Sequence, residues 1–197
     1  MVSRGGIKHE LRNMVQVQFR LSYSLQPEHK ENDVMSTNSL IQDVKFVSGI
    51  VPVRDFNSAT VYTQVVNMRD YQHCTFLLYT GQVESGTSKV TCNACSNSAA
   101  AAETEIAFYY KEQSTTLGAD SHGAETLAVV GTGFTLTAET DNQIEIIEVH
   151  AEQLAALGYN HVRLSFEQVV DDPRIFACIA CLSGARQGGD DKRTVLV

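Results

Sequence analysis

Tryptophan is absent from this sequence of 197 residues, and proline occurs three times. Scarce proline excludes a Pro-rich or low-complexity polymer. The missing tryptophan argues against a sugar-binding face, which depends on large aromatic planes. No run approaches the roughly 18 apolar residues of a membrane span. The residues after Met1 hold no apolar segment of the kind a secretory signal needs. There is no phosphate-binding loop, no G-x-S-x-G and no G-x-G-x-x-G; Gly131-Thr132-Gly133 lacks the third glycine and a following helix. No His-x-His pair of the sort a cupin-like metal enzyme would use is present. These absences exclude the membrane, collagenous, disordered and disulfide-scaffold classes. They leave a soluble folded chain for which no catalytic residue, metal or cofactor is expected.

Charge is sparse and uneven. Charged residues make up 19% of the chain, and the net charge is −8. Within residues 1–20, Arg4, Lys8, Arg12 and Arg20 face Glu10 alone, so a basic segment precedes an acidic body. An acidic body is a poor partner for nucleic acid. A basic arm can dock on an acidic surface, or it can simply be kept soluble by its charges. The five cysteines are an odd number, so they cannot all pair within one chain. Free thiols in a reducing cytoplasm are the expectation.

The pattern that is present is period two. Val15, Val17, Phe19, Leu21, Tyr23 and Leu25 alternate with polar residues, which predicts a strand with one apolar face over 15–25. Residues 34–58 show short apolar pieces and read as connecting chain with one or two short strands. Regular punctuation starts near residue 59. Strands are predicted over 60–68, 73–80, 89–94, 105–111, 134–137, 143–151, 159–169 and 174–182. In the 105–111 strand Ile106, Phe108 and Tyr110 point inward and Tyr109 outward. The phase slips at Ile146-Ile147, which predicts a bulge. Residues 174–182 are apolar on both faces, which predicts a central strand covered on both sides. One helical turn is expected near 150–157, closed by Gly158. The whole reads as an all-β, antiparallel sandwich with an N-terminal arm over 1–45, a domain over 46–186 and a tail over 187–197.

Two C-x-x-C pairs, Cys92 with Cys95 and Cys178 with Cys181, offer the four thiols of a structural zinc site. Residues three apart on a strand face opposite sides of the sheet, so the favoured reading is buried core thiols. His9, His29, His73, His122, His150 and His161 form no pair at helical ligand spacing. They read as surface or satisfied-core histidines. Asp171-Asp172 and Asp190-Asp191 lack the spaced acidic ladder of a calcium loop.

Several stretches carry a family resemblance. They are Asn67-Met68-Arg69-Asp70-Tyr71-Gln72 running through His73 to Gly81, Lys89 to Ala94, Ile106-Ala107-Phe108-Tyr109-Tyr110, and Gly133-Phe134-Thr135-Leu136-Thr137-Ala138. Tyr159-Asn160-His161-Val162-Arg163-Leu164 and the late strand Phe176 to Leu182, ending in Ser183-Gly184-Ala185-Arg186, complete the set. In this order the stretches resemble tailed-bacteriophage structural proteins of the capsid decoration, or cement, type, over about residues 60–186. The resemblance implies a jelly-roll sandwich on the exterior of a virion, made in the host cytoplasm. It also implies a homo-oligomer, dimer or trimer, whose partner is the major capsid protein. The arm lies outside the match. Its residues Arg4, Lys8, Arg12, Val15, Val17, Phe19, Arg20 and Leu21 are the candidate partner-binding set, because a one-sided apolar strand must bury that face on its own domain or a neighbour. A carbohydrate-binding jelly roll on a virion appendage is the alternative.

Overall fold

Twelve strands and two short helices make up the described part of a computed structural model, which covers residues 40–54, 60–82, 85–113, 121–136, 142–170 and 174–186. In chain order these are α1 (Leu40–Asp43), β1 (Lys45–Arg54), β2 (Val61–Tyr62), β3 (Val66–Asn67), β4 (Tyr71–Thr80), β5 (Thr87–Cys95), β6 (Glu103–Ile106), β7 (Phe108–Lys111), β8 (Thr126–Ala128), β9 (Phe134–Leu136), β10 (Ile144–His150), α2 (Ala151–Ala155), β11 (His161–Val170) and β12 (Ile175–Ala185). The chain divides between Thr37 and Asn38 into two units. The first unit, with the expected strand over 15–25, lies outside the described residues, as does the tail 187–197.

The strands form two sheets. One has the order β1-β12-β4-β10-β7-β8, and the other has β2-β11-β5-β6, with β3 also on β11 and β9 also on β5. Every pairing is antiparallel. The winding follows one rule: β1 pairs with β12, β2 and β3 with β11, β4 with β10, and β5 with β6. This is a long hairpin rolled up so that its successive strand pairs alternate between sheets, which is the jelly-roll sandwich. The strands β7, β8 and β9 are additions along its borders.

The alternation read from the sequence sets the core. Cys74, Phe76 and Leu78 of β4, Val90, Cys92 and Ala94 of β5, Val162, Leu164 and Phe166 of β11, and Phe176, Cys178, Ala180 and Leu182 of β12 are all buried. Phe166 and Phe176 meet across the two sheets with ring centroids 4.9 Å apart. A pair of this kind adds about 0.5–1.5 kcal/mol to its area burial. Tyr110 stacks on Phe134 at 4.2 Å, joining the sheets at the other border, while Tyr109 is exposed.

Four expectations need correction. The bulge at Ile146-Ile147 does not form, since β10 runs in unbroken register from Ile144 against Tyr79 to His150 against His73. The apparent slip arises because the inward residues are Glu145, Ile147 and Val149, so a carboxylate stands at a core position. The strand over 105–111 is two strands. Ile106 pairs in the second sheet and Phe108 in the first, and the chain crosses between sheets at Ala107. The strand over 60–68 is also broken. Thr63 bends the chain away, its backbone N–H donating to Leu164 O at 3.0 Å while its Oγ1 accepts from Leu164 N at 2.9 Å. Finally, β12 is central in its sheet but is not covered on both faces, because Ile175 and Ile179 are exposed. The connecting chain expected over 34–58 with one or two short strands holds a longer one, β1, of ten residues. The short helix near 150 forms as α2, and Tyr159 N closes its turn by donating to Leu154 O at 2.9 Å.

Candidate functional site

The partner-binding set Arg4, Lys8, Arg12, Val15, Val17, Phe19, Arg20 and Leu21 lies outside the described residues. The other sequence features can be placed. All five cysteines are free and buried. Each C-x-x-C pair is divided by its strand: Cys92 and Cys178 face the core, while Cys95 and Cys181 lie on the outer sides. Burial pushes every thiol up, Cys95 to about 11 and Cys178 to about 12. Cys74 is raised well above its ordinary value, by burial first and then by Cys92, Cys178 and Cys181. Thiols held in this state are poor nucleophiles and poor metal ligands.

The glycines of Gly131-Thr132-Gly133 serve a turn. Lys89 Nζ donates to Gly131 O at 2.8 Å, and Gly131 N donates to Glu105 Oε1 at 2.8 Å. Gly133 has φ +65, and a Cβ there would stand 2.4 Å from Val90 O, so no other residue fits.

The outer faces of the two sheets differ in chemistry. On the second sheet Arg163 pairs with Glu103 and lies 3.9 Å over the Tyr62 ring, and Asn93 Nδ2 donates to Glu103 Oε2 at 3.2 Å. Around Arg163 this face is tied up in polar contacts. The first sheet presents apolar rows instead. The strand register aligns Ser48, Ile179, Leu77, Ile146 and Lys111 in one row. The next row holds Ala177, Tyr79 and Ile144. On the other side lie Phe46, Cys181, Thr75, Glu148, Tyr109 and Leu127. Ile179 is 46% exposed and Tyr79 55%. Phe46, Tyr109, Leu127, Ile144 and Ile175 are exposed as well. Exposed apolar side chains thus gather on this face, with the polar residues Ser48, Lys111, Thr75 and Glu148 set among them.

One titratable cluster stands at the end of that face. His73 of β4 and His150 of β10 are directly opposed in the ladder, with ring centroids 4.7 Å apart and ring planes at 79°. Glu148, two residues before His150, points to the same side. Its Oε1 lies 3.5 Å from His73 Nδ1 and 3.6 Å from His150 Nε2. The backbone around His150 is pinned by Gln153, whose Oε1 accepts from His150 N at 2.9 Å and whose Nε2 donates to Ala107 O at 2.9 Å. His73 and His150 also line a pocket of 300 Å³ with Gln72, Ala151, Glu152 and Arg186. The sequence reading missed this cluster. The two histidines are far apart in the chain, and nothing short of the β4–β10 register brings them together.

Two solved structures are similar in part. The crystal structure of the SPBc2 prophage-derived protein YomS aligns over 71% of this chain and 92% of that one, with 11% identity and a TM-score of 0.36. A structure of infectious bursal disease virus, Gt strain, aligns over 73% of this chain, with 9% identity and a TM-score of 0.23. This chain spans 42% of that second one. The two likenesses are thus to a prophage-derived protein and to a virus, and at such scores neither transfers a role. No protein-family model and no curated protein matches the sequence.

Proposed function

We propose that this chain is a non-enzymatic structural protein of a virion, a decoration or cement protein that binds the outer surface of a bacteriophage capsid and stabilises the shell. The apolar outer face of the first sheet carries the reading. Rows led by Ile179, Leu77 and Ile146 and by Tyr79 and Ile144 give a broad, rigid, one-sided surface, built on the long ladders that join β4 to β12 and to β10. A protein that works by covering another surface needs such a face and needs no catalytic residue. The jelly-roll winding agrees with what the sequence resemblance implies, and the resembling stretches fall on β4, β5, β6, β7, β9, β11 and β12. The partner in this reading is the major capsid protein, and the unit that binds is a dimer or trimer. Stabilisation follows from mass action, because a ligand that binds the assembled shell and not the free subunits shifts the equilibrium toward assembly.

The test is quantitative mass spectrometry of purified virions together with sedimentation on undecorated shells. Hundreds of copies per particle, and binding weakened at least about tenfold by Ile179→Glu with Tyr79→Ser, are expected. No copies in virions and no sedimentation with shells would overturn the proposal. Selective retention on a glycan array in their place would move the protein to the carbohydrate-binding reading.

A further inference from the structure

We infer that His73, Glu148 and His150 form a binding site for a divalent transition-metal ion, zinc foremost, at the rim of the first sheet. One donor atom from each of the three residues lies within 4.8 Å of the other two. Two ligand atoms bound to zinc at about 2.0–2.1 Å and at a tetrahedral angle stand roughly 3.3–3.4 Å apart. The two nitrogen-to-oxygen separations here are 3.5 and 3.6 Å. Those same separations are too long for hydrogen bonds. Three polar groups therefore converge across a gap that no hydrogen bond closes, and among the described residues His73 Nδ1 has no hydrogen-bond partner and is shielded from solvent. A bound cation closes this gap and satisfies all three groups together.

The donor set selects the metal. Two imidazoles and one carboxylate suit zinc and its first-row neighbours, whereas calcium and magnesium require oxygen ligands. The supporting geometry is rigid. Both histidines stand on paired strands, Gln153 holds the backbone of His150, and Gly184 leaves room beside His73, since a Cβ there would come within 3.2 Å of His73 Cδ2. Three protein ligands leave a fourth position, which water fills in sites of this kind. The neighbouring pocket gives that water space. The thiols do not compete, because they are buried and held protonated.

The test is isothermal titration of the full chain with zinc chloride, with cobalt(II) as a spectroscopic stand-in. One equivalent should bind, and cobalt should give the visible bands of tetrahedral coordination. His73→Ala and His150→Ala should each weaken binding at least about tenfold, with Glu148→Gln intermediate and His122→Ala unchanged. Circular dichroism of the metal-free variants should match the parent, since His73 and His150 are 36% and 40% exposed. Should an alanine variant misfold, Glu148→Gln alone decides, because it keeps the shape of the side chain. No zinc binding by the parent, or equal affinity in all variants, would overturn the assignment.

Discussion

Glu145 occupies an inward position of β10, where a carboxylate is costly to bury in its charged form. Burial pushes its pKa up to about 7, and Glu112 pushes the same way. Arg174, itself fully buried just before β12, and the backbone N–H of Gln113 oppose the rise without cancelling it. The consequence for stability has a definite sign. Between the ordinary value of 4.5 and about 7, the folded chain binds more protons at this site than the unfolded chain does. The contribution of Glu145 is therefore fully present below the unfolded value and is lost as pH rises through the folded one. Melting curves from pH 5 to pH 8 should show this fall, and Glu145→Gln should flatten it whatever it does to the absolute melting temperature. An unchanged slope in the variant would remove Glu145 as its source. The cysteines show the same physics without the titration: raised by burial, they stay neutral across this range.

The joint between β4 and β12 shows what an element contributes beyond its residues. Ser183 pairs with His73 and Ala185 with Tyr71, so Gly184 sits between them at φ +65. A Cβ at Gly184 would meet Gln72 Cβ at 3.0 Å. The left-handed conformation costs a non-glycine residue about 1–2 kcal/mol. Gly184→Ala should therefore lower the melting temperature by about 2–8 °C. It should also displace the end of β4 and weaken zinc binding, which a titration of the variant would show. How far elements could be read from the sequence follows from the same details. The strands through Phe76, Cys92, Leu164 and Ala180 were legible because one face of each is buried without interruption. β1 was obscured by register shifts between Ser48 and Ile50 and between Ile50 and Val53, which break the period of two. At Thr63 a side-chain oxygen replaces a ladder acceptor, and at Ala107 the alternation continues while the strand changes sheet, so neither break leaves a mark in the pattern. The His73–Glu148–His150 cluster is a property of register between distant strands, which periodicity within one strand does not encode.

At the scale of the whole molecule, the two outer faces differ. The second sheet ties Arg163, Glu103 and Tyr62 together on its outer side, while the first leaves Phe46, Tyr79, Ile144 and Ile179 in water. Among the described residues the buried apolar cluster runs from Val47 to Leu182, inside the unit that begins at Asn38. A chain that begins at Asn38 should accordingly fold, with a cooperative melt within about 5 °C of the full-length protein. Its assembly should differ. Val15, Val17, Phe19 and Leu21 give the arm one apolar edge in sequence, and Arg4, Lys8, Arg12 and Arg20 give it charge opposite to that of the body. Exposed ion pairs contribute under about 1 kcal/mol each, so an arm that binds must draw most of its affinity from strand addition and apolar contact. The truncated chain should therefore sediment with shells less than the full chain does, or fall to a smaller oligomer, while raised salt should cost the full chain little. Sedimentation of both forms, alone and with undecorated shells, measures this directly. Equal binding and equal oligomeric state would return the whole of recognition to the apolar outer face of the first sheet, and a lost fold would make residues 1–37 part of the core.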